Sequence, residues 1–97
     1  MRRPRRVDEN QPGIVAAFRK CGASVEVLSD VGRGVPDLLI SYRGETVLVE
    51  IKMPGEKLTD MQRQWRGRWR GVVYVVTDRA EVPEVLKEMV KTQRMTR

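Results

Sequence analysis

The 97-residue chain contains no histidine. This absence excludes catalysis of the Ser-His-Asp and Cys-His kinds, zinc sites with histidine ligands, and nucleases that use a histidine base. Any hydrolytic chemistry must therefore depend on carboxylates, lysine and a hard divalent cation.

Cysteine and long apolar runs are also scarce. Cys21 is the single cysteine, so no internal disulfide can form, and its place in a helical pattern favours a buried small hydrophobe over a reactive thiol. No segment approaches the roughly 20 apolar residues that cross a bilayer, and the arginine-rich start lacks the apolar part of a signal peptide. We expect a cytoplasmic protein of a bacterial cell or phage-infected host, with no membrane partner.

Positive charge is abundant, with 19 lysines and arginines against 13 acidic residues and a net charge of +6. Such an excess favours polyanionic partners such as nucleic acid, although a basic surface can also be inert. The arginine guanidinium forms bidentate hydrogen bonds with phosphate oxygens and stacks on bases. The arginines concentrate at the start of the chain and after residue 62, at Arg2, Arg3, Arg5, Arg6, Arg63, Arg66, Arg68 and Arg70.

The length gives room for one domain with one modest core. Hydrophobic residues make up 40% and charged residues 33% of the chain, which suits a folded protein rather than a disordered one. We expect a flexible basic arm at residues 1–7, a single domain over residues 8–90 and a frayed tail over residues 91–97.

The first helix is predicted from residue 8 or 10 to residue 21. Ile14 and Phe18 fall on one stripe of that helix, and Gln11 shares it. Gln11 is therefore expected to point inward, whereas Glu9 is expected to project elsewhere.

A second helix is predicted over residues 57–69 with Thr59 as its cap, and a last helix from residue 82 or 83 to residue 90. Trp65 and Trp69 lie at helical spacing, which favours packing in the core, with base stacking as the alternative.

The strands differ in their patterns. Residues 23–29 alternate between apolar and polar, as a strand with one solvated face does. Residues 38–40, 47–49 and 72–76 are continuously apolar, which predicts buried strands. The helix between the last two strands makes a crossover with parallel pairing. Together these elements predict an α/β fold with a mixed sheet flanked by helices.

A hairpin centred on Arg43 and Gly44 brings two acids together. If its turn has two or four residues, the numbers of paired residues sum to 87, which sets Asp37 opposite Glu50. Like charges at such a pair destabilise the sheet unless a cation lies between them. Lys52 points to the same face as Glu50, because side chains alternate along a strand. Two acids and a lysine can hold Mg²⁺ and offset charge on an attacked phosphate.

A structural interpretation of these residues remains open. Asp37 after Pro36 is also typical of a turn, and Glu50 with Lys52 can form an ordinary exposed ion pair worth up to about 1 kcal/mol. Against this, Glu50 interrupts the apolar segment VLVEI, where an unpaired carboxylate is costly.

The segments GVPDLLI and VLVEIK resemble the Asp...Glu-X-Lys signature of the PD-(D/E)XK nucleases, and more narrowly the VRR-NUC (virus-type replication-repair nuclease) domain. Further matches are Gly34 before Val-Pro-Asp, the early helix with Asn10 and Gln11, and LTDMQRQW after the second strand of the hairpin. The resemblance spans about residues 8–76. It implies a restriction-endonuclease-like mixed β-sheet core flanked by helices.

The resemblance also implies roles for single residues. Asp37 and Glu50 are expected to bind Mg²⁺ or Mn²⁺ with the Ile51 carbonyl as a further ligand, and Lys52 to position or activate the attacking water. In many relatives the early helix supplies a Glu, and Gln11 occupies that position here. Gln11 can hold a water on the metal but cannot act as a base, and a purely structural polar role is its alternative. Whether Gln11 or Glu9 completes the site is open at this point.

DNA contacts are expected from basic residues around this centre. Gln62 is expected either to line the site or contact DNA, or to be an ordinary surface residue. The other candidates for the phosphate backbone have solvated charge as their alternative: Arg3, Arg5, Arg6, Arg33, Lys57, Arg63 and Arg66.

These features predict a metal-dependent, structure-specific DNA endonuclease. Small single domains of this family resemble Holliday junction resolvases, and a four-way junction with two equivalent scissile bonds calls for two active sites, which predicts a homodimer on branched DNA. The alternatives are a flap or single-strand nuclease that acts as a monomer, and a non-catalytic nucleic-acid-binding module.

Overall fold

The computed structural model describes residues 9–95, with side chains through residue 92. The predicted basic arm, with Arg3, Arg5 and Arg6, lies outside the described residues. The elements follow in the order α1 (Gln11–Lys20), β1 (Ser24–Val27), β2 (Leu38–Tyr42), β3 (Glu45–Ile51), α2 (Asp60–Arg68), β4 (Val73–Val76), a 3-10 turn (Arg79–Glu81) and α3 (Val82–Met95).

The β2–β3 hairpin has the predicted register. Arg43 and Gly44 adopt φ values of 50° and 83°, as a two-residue type I′ turn requires. The pairing runs from Tyr42↔Glu45 to Leu38↔Val49, so the next positions along the two strands are Asp37 and Glu50. A local turn thus sets which residues meet at the far end of the hairpin.

The four strands form one mixed sheet in the order β1-β2-β3-β4. The first two pairings are antiparallel and β3 pairs with β4 in parallel, as the predicted crossover requires. The connecting helix α2 is capped by Thr59, whose hydroxyl accepts from the Gln62 backbone N–H while the Gln62 side chain accepts from the Thr59 N–H. This reciprocal capping anchors α2 at the carboxyl end of β3.

The core lies between one face of the sheet and the helices α1 and α3. Its fully or nearly fully buried side chains come from all these elements: Ile14, Phe18, Leu38, Ile40, Val49, Ile51, Val76, Val82, Leu86 and Met89. The opposite face is covered in part by α2. Among residues 9–95, no helix is both long and apolar enough to cross a membrane.

Two predictions about buried apolar groups are wrong. The strand at 72–76 is not buried throughout, because β4 lies at the sheet edge with Val72 48% and Val75 42% exposed. Cys21 is exposed rather than buried, because α1 stops at Lys20 and Cys21 caps it outside the helical stripe.

The tryptophans and the last helix also differ from expectation. Trp69 is 47% exposed and follows the end of α2, and it stacks on the half-buried Trp65, so the pair is not part of the core. Helix α3 continues to Met95, past the predicted end at residue 90, so the backbone of residues 91–95 is helical.

Candidate active site

A cavity of about 760 Å³ opens where the carboxyl ends of β3 and the start of α2 meet the loop before β2. Its walls come from the loop at residues 32–37, the end of β3 with the turn after it, and the start of α2. The lining residues are Glu9, Gly32, Arg33, Gly34, Asp37, Glu50, Ile51, Lys52, Met53, Glu56, Thr59, Met61 and Gln62.

Asp37 enters the cavity from the last loop position before β2. Its Oδ2 accepts a hydrogen bond from the Ile51 backbone N–H at 2.8 Å, and its side chain is almost buried. The Asp37 carbonyl accepts from the Leu28 N–H at 2.7 Å, which holds its backbone to the end of β1. The carboxylate is therefore fixed beside the peptide that follows Glu50.

Glu50 reaches the same cavity from β3 and is 1% exposed. Its Oε2 accepts from Gln62 Nε2 at 3.3 Å, which links the strand to α2. Gln62 itself is buried and lines the cavity, so the sequence alternative of an ordinary surface residue does not describe it.

Lys52 lies two residues beyond Glu50, and the alternation of side chains brings both to the cavity. Lys52 is 5% exposed, its N–H donates to the Val76 carbonyl at 3.1 Å, and its carbonyl accepts from Asn10 Nδ2 at 3.4 Å. The Ile51 side chain packs in the core, so we infer that Ile51 lines the cavity through its backbone atoms.

The cavity is acidic although the protein is basic. Four carboxylates line it against two cations, one of which is Lys52 and the other Arg33. Hard oxygen ligands of this kind suit Mg²⁺ and Mn²⁺, and Mg²⁺ usually takes only one or two protein carboxylates. Among the described residues no group of three or more acid, cysteine or histidine side chains could hold one ion together, so the fit depends on Asp37, Glu50 and the Ile51 carbonyl.

A solved structure described as a VRR_NUC domain shares 31% sequence identity with the chain and superposes with a TM-score of 0.65. The likeness covers 79% of this chain and 89% of that one. The chain belongs to the VRR-NUC family. Its mixed sheet with three flanking helices is the fold of that nuclease domain, as predicted. No family model matches the sequence, and no curated protein matches it.

In this VRR-NUC domain Gln11 points inward, as the helical stripe predicts, but it lies away from the cavity where the family resemblance implies a site residue. It is buried and its Oε1 accepts from Ser29 Oγ at 3.1 Å, and it is not among the residues that line the cavity. Glu9, which was expected to project elsewhere, does line it. Helix α1 starts only at Gln11, so Glu9 precedes the helix and the helical periodicity does not apply to it.

Asn10 connects the start of α1 to the end of the sheet. Its Nδ2 donates to the Thr77 carbonyl at 2.8 Å as well as to the Lys52 carbonyl. This attachment places Glu9 next to the cavity. The sequence indicates Asn10 only through the family resemblance, since the contact joins residues far apart in the chain.

Gly34 explains how the loop and α2 form one wall of the VRR-NUC cavity. Its φ is +83°, and a Cβ on it would lie 2.3 Å from the Met61 carbonyl oxygen. The two backbones thus touch beside Gln62, and any side chain larger than hydrogen separates them.

The predicted DNA-contacting residues fall into two groups. Arg33 is exposed at the cavity, and Lys57 is exposed on the segment that leads into α2. Arg63 donates to the Leu58 carbonyl and pairs with Asp60, and Arg66 donates to the Val73 carbonyl at 3.1 Å. The last two guanidinium groups therefore stabilise the protein itself, which their charge alone did not indicate.

Met53 and Glu56 line the cavity although neither was predicted as a site residue. Glu56 Oε1 accepts from the Met53 N–H at 2.9 Å, and the Glu56 N–H donates back to the Met53 carbonyl at 3.0 Å. The signal in the sequence was the Pro54-Gly55 pair, which is typical of a tight turn, and Gly55 has a φ of +82°. The turn brings another carboxylate to the cavity.

Proposed function

We propose that this VRR-NUC domain is a metal-dependent, structure-specific DNA endonuclease that hydrolyses phosphodiester bonds. The observation that carries the proposal is the meeting of Asp37, Glu50 and Lys52, all buried, in one cavity with an excess of carboxylates. Such acidity is unfavourable for binding DNA directly. It is consistent with a cation that offsets the charge before a phosphate approaches.

Asp37, Glu50 and the Ile51 carbonyl would hold Mg²⁺ or Mn²⁺. A divalent ion there would polarise the phosphate and lower the pKa of a water molecule that attacks it. The hydrogen bond from the Ile51 N–H to Asp37 keeps the carboxylate next to the Ile51 peptide, and the one from Gln62 orients Glu50. Ligands whose orientation is fixed in this way bind a metal more tightly.

Lys52 supplies the positive charge that the reacting phosphate needs. Lys52 directly follows β3, and its backbone is held from both sides, by Val76 and by Asn10, so the base of its buried side chain is fixed before the substrate arrives. Preorganised charge of this kind stabilises negative charge that develops in the transition state. Lys52 also positions or activates the attacking water in this proposal.

Glu9 is the candidate for a further acidic contribution in place of Gln11. It lines the cavity, whereas Gln11 is engaged with Ser29. A carboxylate can accept a proton from a water molecule, and a neutral amide cannot. Glu9→Gln should therefore slow cleavage more than Gln11→Glu changes it.

The central test is cleavage of synthetic junctions, flaps, duplexes and single strands with added Mg²⁺ or Mn²⁺. Asp37→Asn should reduce the rate at least about a hundredfold, and Lys52→Met about a hundredfold to a thousandfold. The Asn side chain can still accept from the Ile51 N–H, so the Asp37→Asn protein should fold.

Two matched variants serve as controls. Asp30→Asn removes an exposed carboxylate outside the cavity lining, and Lys20→Met removes an exposed lysine at the end of α1. Both should cleave like the wild type. Unchanged cleavage by Asp37→Asn and Lys52→Met, or DNA binding with no cleavage under any metal condition, would refute the endonuclease and favour a non-catalytic binding module.

We further propose branched DNA as the substrate, with a homodimer that resolves four-way junctions. The support is the size of the domain and the need for two active sites on two equivalent bonds. Paired nicks on a synthetic junction and the mass of a dimer by light scattering are the expected results. A monomer that cuts flaps or single strands once per event would contradict the dimer while leaving the chemistry intact.

A further inference from the structure

The carboxyl-terminal end of α2 presents an aromatic surface that the core does not use. The rings of Trp65 and Trp69 stack with centroids 4.8 Å apart and planes at 23°, and Trp69 is 47% exposed. Val72, just before the edge strand β4, and Val75 within it are also about half exposed, at 48% and 42%. Exposed apolar surfaces of this kind are typical of binding sites.

Trp69 is held in place from two sides. One face of its ring lies against Trp65, and a Cβ built on Gly71 would come within 2.7 Å of the indole Nε1. Glycine at position 71 therefore lets the backbone approach the ring edge. A ring that is fixed before binding loses little conformational entropy when a partner stacks on it.

Four arginines lie close to this aromatic pair in the chain, and they are not equivalent. Arg63 and Arg66 are engaged with the protein itself. Arg68 and Arg70, which flank Trp69 in the chain, are exposed. Positive charge beside an exposed aromatic ring is the combination that binds the backbone and bases of a single strand.

The aromatic surface lies along the same helix as the cavity. Gln62 contacts Glu50, which pairs with Val75, whereas Arg66 contacts Val73, so α2 runs antiparallel over β4. Trp65 is one turn beyond Gln62. Trp69 lies about 10 Å from Gln62 along the helix axis, a distance equal to about three base steps of a duplex strand.

We propose that Trp65, Trp69, Arg68 and Arg70 form a binding surface for unpaired nucleotides beside the scissile phosphate. An unpaired base stacks on the exposed face of Trp69, and the two arginines contact the adjoining phosphates. This inference rests on the proposed function in that it takes nucleic acid as the partner. It narrows the substrate to DNA with an unstacked base near the cut, such as a flap or the centre of a branch.

The test measures binding alone, in EDTA and with Asp37→Asn as the background, so that no cleavage interferes. Labelled single-stranded and duplex oligonucleotides are titrated while fluorescence anisotropy and intrinsic tryptophan fluorescence are followed. The background protein should bind the single strand with quenching of tryptophan emission. Adding Trp69→Ala should weaken single-strand binding about tenfold or more, with a smaller loss for duplex.

Further variants separate stacking from folding. Trp69→Phe keeps a ring and should recover most of the affinity. Gly71→Ala keeps both tryptophans but displaces the Trp69 ring, and it should weaken single-strand binding without unfolding the protein. Equal affinities of all three variants and the background would overturn the proposal.

The arginines are tested through salt dependence. The double variant Arg68→Gln with Arg70→Gln should reduce the slope of log affinity against log salt by about 0.7 for each lost phosphate contact. Lys87→Gln with Lys91→Gln removes the same charge from exposed positions on α3, across the sheet, and should leave the slope nearly unchanged.

The alternative partner for this surface is a second copy of the chain. If the protein alone is a dimer, shields Trp69 from a soluble quencher, and becomes monomeric in Trp69→Ala, the surface binds a second copy and the proposal is wrong. Failure of the proposed function looks different, since single-strand binding then persists while no metal supports cleavage by the wild type.

Discussion

Gln62 joins the capping of α2 to the orientation of Glu50. Its Nε2 donates to Glu50 Oε2 at 3.3 Å, while its Oε1 accepts from the Thr59 N–H at 2.9 Å. Both ends of one amide are therefore used, and its orientation is determined by the helix cap. The start of α2 and the candidate metal ligand on β3 cannot move independently.

Replacing Gln62 should therefore impair the site more than the fold. Gln62→Glu can still accept from Thr59, but it loses the donor to Glu50 and sets a second carboxylate against it. We expect cleavage to fall about tenfold to a hundredfold, as for other groups that orient metal ligands. The cleavage rate is measured as a function of metal concentration, and the metal concentration that gives half of the maximal rate should rise.

Thr59→Ala is the companion variant, because it removes a capping oxygen but leaves the Gln62 amide. It should cost about 1 kcal/mol of stability, as other lost caps do, with a smaller loss of rate than Gln62→Glu. If the two variants lose rate in proportion to stability, Gln62 acts only through the helix.

Gly34 should be far less replaceable than its neighbour Gly32. Both have positive φ, at +83° and +73°, but a Cβ on Gly34 meets the Met61 backbone at 2.3 Å whereas one on Gly32 meets nothing within 4 Å. Gly32→Ala should cost about 1 kcal/mol from backbone strain alone. Gly34→Ala should cost more and also slow cleavage, since it pushes α2 and Gln62 away from Glu50.

Urea denaturation of both glycine variants measures the difference. Equal losses of stability would show that the loop can move away from Met61 freely, contrary to the close approach of the two backbones.

The features that could be predicted from the sequence are local ones. The Arg43-Gly44 turn involves only adjacent residues, and it determines the hairpin register. The register in turn places Asp37 next to Glu50. The Thr59 cap is likewise encoded by residues three apart. Short-range chemistry is visible in a single sequence because each part of it acts through neighbours in the chain.

The errors arose where neighbours are distant in the chain. The apolar pattern of residues 72–76 is typical of a central strand, but nothing local states that β4 has only one neighbour in the sheet. Trp65 and Trp69 have helical spacing, yet the helix ends at Arg68 and leaves Trp69 outside it. Glu9 reaches the cavity because Asn10 is attached to Thr77, a contact between the two ends of the fold.

Glu81 should make stability depend on pH in the acid range. The pKa of its carboxyl lies below its ordinary value of 4.5, chiefly because the Thr77 N–H donates to it, with further hydrogen bonds from the Asp78 N–H and the Thr77 hydroxyl. A carboxyl whose pKa is lower in the folded state stabilises the protein above its unfolded pKa. That stabilisation is lost as the pH falls through the folded value.

Glu81→Gln isolates this contribution. At about pH 7 the wild type should be more stable than the variant, and the difference should shrink as the pH falls below 4.5. Urea denaturation from about pH 7 to about pH 3 gives the comparison. A difference that is constant over this range would show that ionised Glu81 contributes nothing specific to the turn that follows β4.

Arg33 and Arg43 offer a paired test of whether backbone strain is tolerated for function. They have φ values of 57° and 50°, which cost an arginine about 1 kcal/mol, whereas asparagine adopts this conformation more readily. Arg33→Asn and Arg43→Asn should therefore both maintain or slightly raise stability. Arg43 also stacks over Tyr42 at 5.3 Å, so its gain is the smaller one.

The two variants should differ in DNA binding. Arg33 is exposed at the cavity, whereas Arg43 lies at the opposite end of the hairpin, about 20 Å from Asp37 along the strand. Arg33→Asn should weaken binding and reduce its salt dependence by about one phosphate contact, and Arg43→Asn should not. Equal DNA affinities would mean that the strained arginine beside the cavity has no part in holding the substrate.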